Sequence, residues 1–162
     1  MAGAEDDFRG TVEQCILMEI QAMTLYTTLA NRVVDPEAAR VLRYLAEEEE
    51  GHVGRVAEIF SALGERAGDA LSRVDVVKAY RDEAWSRHKA RLAGAGLSDA
   101  SPADDFLAFA LAAEAHARTR YERLAGEAPD PKTEAVFRAL ASEEAGHEEN
   151  LKRIRRLLGG RG

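Results

Sequence analysis

Residues 19–52, EIQAMTLYTTLANRVVDPEAARVLRYLAEEEEGH, return as residues 114–147, EAHARTRYERLAGEAPDPKTEAVFRALASEEAGH, without a gap and at a constant offset of 95 residues. Identities fall at Glu19/Glu114, Tyr26/Tyr121, Leu29/Leu124, Ala30/Ala125, Asp35/Asp130, Pro36/Pro131, Leu45/Leu140, Glu49/Glu144, Gly51/Gly146 and His52/His147. A fixed-period repeat of this length marks one supersecondary unit used twice. In each copy an Asp-Pro pair sits mid-way, where a carboxylate caps a helix and proline opens its first turn. Each copy therefore predicts an antiparallel helical hairpin. Working outward, helix A is expected over about 7–31, B over 36–63, C over 102–125 and D over 131–158.

Alternating steps of four and three trace an apolar seam down every helix. On A it runs Phe8, Val12, Cys15, Glu19, Ala22, Tyr26, Leu29, Val33, and on B Ala38, Leu42, Leu45, Glu49, His52, Val56, Ile59, Leu63. C gives Ala103, Leu107, Ala110, Glu114, Ala117, Tyr121, Leu124, and D gives Thr133, Phe137, Leu140, Glu144, His147, Leu151, Ile154, Leu158. Four carboxylates and two imidazoles thus interrupt an otherwise core-like stripe.

Residues 64–101 connect the hairpins, with glycines at 64, 68, 94 and 96 and a helix expected between about Arg73 and Leu92. Val74, Val77, Tyr80, Ala84 and Trp85 form its expected buried side, and Arg87, His88, Lys89 and Arg91 its solvated one. B extends about 14 residues past Glu49 and C starts about 12 before Glu114. Placing the carboxylates of both hairpins at one level then requires a return of about 39 Å at 1.5 Å per helical residue. The expected topology is a crossover bundle with B and C parallel. One domain over 1–162 is expected, built from hairpin 1 (about 8–63), the connector and hairpin 2 (about 102–158).

Composition narrows the function classes. The 162 residues are 46% apolar and 31% charged, with a net charge of −7, which speaks against nucleic acid as a partner. Cys15 is the only cysteine, so no intramolecular disulfide or cysteine-rich metal site is available. The opening residues 1–7 carry acid where a secretory signal carries base, and no stretch approaches a membrane span of about 20 apolar residues. A cytoplasmic protein that does not engage membranes is expected.

Glu19 lies 12 residues before Asn31 and Glu49 lies 13 after Pro36, so both stand about 18 to 20 Å from the same turn and face each other. Glu114 and Glu144 repeat the spacing in the second hairpin. His52 and His147 follow their glutamates at i+3, on the same helix face. Four buried carboxylates without counter-charge would be severely unfavourable, and no seam position holds Lys or Arg. Two divalent metals would supply +4 against −4, and carboxylate with imidazole suits iron or manganese. A solvated acidic face, or a set of core ion pairs, is the competing reading, and placement in the seam speaks against it.

These residues carry a resemblance. Glu19, Glu49-x-x-His52, Glu114 and Glu144-x-x-His147 resemble the di-iron carboxylate pattern of the ferritin-like superfamily, one Glu from each of two helices and Glu-x-x-His from the other two. The repeat, the size and the Glu-Glu-x-Gly-His wording are most similar to the rubrerythrin branch. The resemblance implies an all-α, ferritin-like four-helix bundle with two iron ions, manganese or zinc being the alternatives. It implies that Glu49 and Glu144 bridge the metals, that Glu19 and Glu114 are terminal carboxylates, and that His52 and His147 cap one metal each, all six forming the catalytic site. The implied activity is reduction of hydrogen peroxide or dioxygen with external electrons. The family pattern has a further carboxylate one turn after the helix C glutamate. Ala117 stands there, which implies a more symmetric site without the ligand shift that fast peroxidase cycling uses. The rubredoxin-type cysteine domain is absent from these residues, so a separate electron-donor protein is implied.

Around this constellation, Tyr26 and Tyr121 lie two turns after Glu19 and Glu114, where a phenol either donates to carboxylates on facing helices or packs in the core. Cys15 reads as a small core residue rather than a redox participant. Glu47, Glu48, Glu50 and Glu143 read as solvated faces, His88 and His116 as surface histidines, and the basic run 152–156 as complementing a helix C-terminus. Trp85 reads as an anchor for the connector or part of a subunit interface. Alternative functions on the same residues are a ferroxidase or iron store, a bundle whose metals only staple the fold, and an oxygenase with an organic substrate. With the sequence running to Gly159-Gly160-Arg161-Gly162 after helix D, the fifth C-terminal helix of a large storage cage is not expected. A homodimer is expected, and the long connector permits domain swapping.

Overall fold

A computed structural model describes residues 2–67 and 73–159. Five α-helices account for nearly all of them: α1 (Ala2–Arg32), α2 (Pro36–Ala67), α3 (Arg73–Gly94), α4 (Ala103–Glu127) and α5 (Pro131–Gly159). The caps are those the sequence dictates. Asp35 accepts from the Ala38 amide at 2.8 Å. Asp130 accepts from the Thr133 amide at 2.9 Å and from its hydroxyl. Prolines 36 and 131 then occupy the first helical positions, where the missing N–H costs nothing. α1, α2 and α3 run longer than expected, and α4 begins at Ala103, one residue late.

The chain forms the all-α, ferritin-like bundle. α1 packs on α2 and α4 on α5, with α1 also against α4 and α2 against α5. Tyr26 of α1 donates to Glu114 of α4 and Tyr121 of α4 donates to Glu19 of α1, a reciprocal pairing possible only if the two helices are antiparallel. α2 is also antiparallel to α1, so α2 and α4 run parallel, as the crossover topology requires. α3 is the return leg. Tyr80 donates to Glu13, and Arg91 to Gln21 at 2.9 Å, so α3 runs alongside α1 in the same direction, covering the α1–α2 face.

The connector's buried side differs from the expected one. Ala84 and His88 are buried while Trp85 is 49% exposed. The side chains of Val74 and Val77 lie outside the described residues. Tyr80, Ala84 and His88 recur every four residues and form the inward stripe, which rotates Trp85 outward. There its ring stacks with His88 and lies beneath Lys89. The basic run of α5 reaches acids at the first turns of other helices, Arg153 to Glu37 and Arg155 to Asp104. Solvent screening leaves these exposed pairs little weight in stability. No helix among the described residues is long and apolar enough to cross a membrane.

Two apolar clusters fill the bundle at different heights. One gathers Phe8, Val12, Ile16, Val56, Tyr121 and Phe137. The other gathers Leu29, Leu42, Leu45, Leu107, Leu151 and Ile154. The carboxylates and imidazoles lie between them in sequence on every long helix, which places a polar layer in mid-bundle, shielded at both ends. Phe137 is fully buried, stacked on Tyr121 at 5.8 Å and edge-on to Phe8 at 6.1 Å. Phe137→Ala is expected to cost about 3–5 kcal/mol through lost burial and the cavity left behind. A denaturation midpoint close to that of the parent protein would contradict this packing.

Candidate metal centre

Each of the four main helices brings one glutamate into the polar layer, and α2 and α5 add a histidine one turn later. Glu19, Glu49, Glu114, Glu144, His52 and His147 are all buried, none more than 3% exposed. Glu49, His52, Glu144 and His147 each present a ligand atom, and these atoms lie within 4.8 Å of one another. Glu19 and Glu114 flank this quartet, each placing Oε2 at 3.7 Å from the Nδ1 of one histidine, Glu19 beside His52 and Glu114 beside His147.

The carboxylates of Glu49 and Glu144 divide their oxygens between the two histidines. Glu49 Oε2 is 3.2 Å from His52 Nδ1 and its Oε1 is 2.9 Å from His147 Nδ1. Glu144 Oε1 is 3.1 Å from His52 Nδ1 and its Oε2 is 3.0 Å from His147 Nδ1. The His52 and His147 rings stack 5.1 Å apart and nearly parallel. The result is a local two-fold arrangement, with two shared carboxylates in the centre and one histidine and one glutamate on each side.

Much of this proximity is not hydrogen bonding. Both Glu49 oxygens, Glu144 Oε2 and both ring nitrogens of His147 are buried without a hydrogen-bond partner, although His147 Nδ1 and Glu49 Oε1 are only 2.9 Å apart. The lone pairs converge on shared space instead of on each other's protons. Stranding that many buried polar atoms is costly, and cations between them would satisfy them. Among the described residues, no Lys or Arg pairs with any of the four glutamates. The donor set of carboxylate oxygen and imidazole nitrogen fits a di-metal site.

Without metals, protons have to carry the balancing charge. Burial, then the neighbouring Glu144 and Glu49 charges, raise Glu19 well above the usual carboxylate range. Burial likewise outweighs the His147 contact at Glu114, which is pushed up to about 8. Burial works in the same direction on Glu49, but the His147 and His52 imidazoles outweigh it and hold that carboxyl at about 2. Burial opposes charging of the histidines, yet the surrounding glutamates raise both, His147 to about 12. Two imidazolium ions then offset two carboxylates, and the other two carboxyls stay neutral.

The tyrosines reach across the bundle, Tyr26 to Glu114 and Tyr121 to Glu19, each donating to Oε1 and leaving Oε2 turned to the histidine. Each phenol thereby orients a flanking carboxylate supplied by the other repeat. Cys15 is buried beneath the site, and burial and the Glu19 charge push its thiol up to about 12, which suits a packing residue. Ala117 lines a cavity of about 20 Å3 beside Glu19 and Glu114, with Met18, Ala22 and His88 among its other walls. That is room for one water-sized molecule.

Two residues differ from their sequence reading. Glu143 is not simply part of a solvated acid run, since its Oε2 lies 3.0 Å from His52 Nε2 and both its oxygens accept from Arg55. His88 is only 5% exposed. Arg55 at i+3 from His52 was the available signal for the first. Its partner comes from the other hairpin, which a single helix face does not reveal. His116 is exposed and bonded to Arg120.

The rubrerythrin family model matches the chain over residues 11–95 and 105–161, a span that takes in α3 as well as both hairpins. No curated protein and no solved structure gave a match.

Proposed function

Since this chain belongs to the rubrerythrin family, we propose that it is a di-iron oxidoreductase that reduces hydrogen peroxide or dioxygen with electrons from a separate donor protein in the cytoplasm. The observation that carries this reading is the buried layer of four glutamates and two histidines whose ligand atoms face common space and are in part unsatisfied. Glu49 and Glu144 would be shared between two irons, Glu19 and His52 would complete one, and Glu114 and His147 the other. When bound, a ferrous pair supplies two electrons together, which is what cleavage of an O–O bond consumes.

The chain's own residues prepare the site for a small oxidant. The cavity beside Glu19 and Glu114 has room for one water-sized molecule next to both flanking carboxylates. The apolar clusters above and below keep bulk water from the reacting centre. Tyr26 and Tyr121 hold the flanking carboxylates, so both carboxylates enter the reaction already oriented. Their hydroxyl groups are also the nearest protons bonded to those oxygens.

The test is reconstitution with ferrous iron under anaerobic conditions, followed by stoichiometric peroxide. About two irons per chain and a rapid near-ultraviolet rise on peroxide addition, reversed by a reductant, are the expected results. Zinc as the native metal, or an iron-loaded protein whose spectrum is silent to both peroxide and dioxygen, would overturn the redox reading.

A further inference from the structure

We propose that the two metal positions are unequal, and that Glu143, clamped by Arg55, is a positioning residue that makes the His52 position the tighter one. The inference rests on the metal-centre reading above and adds a difference between its two halves.

The repeat pairs Glu143 with Glu48 and Arg55 with Asn150 at the same offset of 95 residues. Only one of these outer pairs is built. On the His52 side, Nε2 meets Glu143 Oε2 at 3.0 Å, and Glu143 is gripped by the Arg55 guanidinium through both oxygens. A bidentate guanidinium–carboxylate pair fixes position as well as charge. With Nε2–H committed to Glu143, the proton that His52 gives up on metal loading is the one on Nδ1, which leaves that lone pair facing Glu19, Glu49 and Glu144. An outer carboxylate of this kind orients a ligating histidine and raises its basicity.

On the His147 side the same ring edge is bare. His147 Nε2 is buried and has no hydrogen-bond partner among the described residues. Glu48 carries the right carboxylate, but Asn150 stands where the guanidinium would be. A neutral amide cannot form the two charge-assisted bonds that pin Glu143 in place. The His147 ring therefore lacks an outer carboxylate at Nε2, and that metal position forfeits what such a partner contributes. The Arg55–Glu143 pair is also about one-third exposed at both side chains, so it can be altered without disturbing the core.

Stepwise titration of the metal-free protein with cobalt(II), followed by visible absorption and by chelator competition, tests this. Wild-type protein should take up two ions in separate steps, about tenfold or more apart. Glu143→Gln should weaken the tighter step by about ten- to a hundredfold while the weaker step stays in place, so that the two converge. Arg55→Ala should move the same step in the same direction by less, and Glu143→Asp should restore part of it. His147→Ala should retain the step that responds to Glu143, and His52→Ala should remove it. Two equal steps in the wild type, or a Glu143→Gln shift shared equally by both steps, would overturn the proposal. The titration needs no turnover, so a protein inert to peroxide but loading unequally would count against the redox reading alone. Failure to take up metal at all would remove both.

Discussion

Glu144→Gln is expected to abolish stoichiometric loading of both metals, whereas Glu19→Gln should weaken chiefly one. The asymmetry follows from which atoms each carboxylate serves. Glu144 places one oxygen at 3.1 Å from His52 Nδ1 and the other at 3.0 Å from His147 Nδ1, so its loss strikes both halves of the centre. Of the two histidines, Glu19 approaches only His52, at 3.7 Å. An amide in place of Glu144 keeps the volume but removes one charge and one of two equivalent oxygens. Residues outside the ligand set already cost about ten- to a hundredfold in affinity when changed, and a shared ligand should exceed that at both positions. Elemental analysis after dialysis against micromolar metal, with calorimetric titration, reads the result. Two tightly held ions in Glu144→Gln would show that Glu144 does not bridge.

The layer on which this rests was largely legible in the sequence, because a gapless repeat fixes relative height. Glu19 and Glu49 are equidistant from the Asp35-Pro36 turn, and Glu114 and Glu144 stand likewise about Asp130-Pro131, so all four fall in one plane once the hairpins pack. The crossover was legible for the same reason, since only a long return leg brings the two planes together. What the sequence obscured depends on register between elements that do not follow one another. Glu143 looks solvated on its own helix, and only the antiparallel approach of α2 to α5 brings it to His52. His88 looks solvated because Arg87, Lys89 and Arg91 surround it, yet it continues the inward stripe of Tyr80 and Ala84. Trp85 was misplaced by the converse error, in which hydrophobicity outweighed phase. The functional reading shares this limit, since ligand type is written in the seam and the order in which two sites fill depends on neighbours from the other hairpin.

Metal-free protein is expected to lose stability steadily as pH rises from about 6 to 9, and metal-loaded protein is expected to be far less affected. Glu114 has a folded pKa of about 8, well above its unfolded value near 4.3. A group raised in this way contributes its full stabilisation below the unfolded pKa and loses it as pH climbs through the folded one. Glu19 is raised as well and acts in the same sense. His52 and His147 are raised above the ordinary histidine range, so their contribution begins to fall above about 6.5. Glu49 is depressed to about 2; its contribution is complete above the ordinary carboxylate range and stays flat across this window. The four raised groups thus act together, each at no more than about 1.4 kcal/mol per pH unit. Metals replace those protons, so loading near pH 6 should release close to four of them, one each from Glu19, Glu114, His52 and His147, and affinity should climb with pH. Calorimetry in buffers of different ionisation enthalpy counts the protons, and thermal melts of both forms across the range read the stability. A metal-free melting temperature that is flat or rises from pH 6 to 9 would mean that protons do not hold the empty site together.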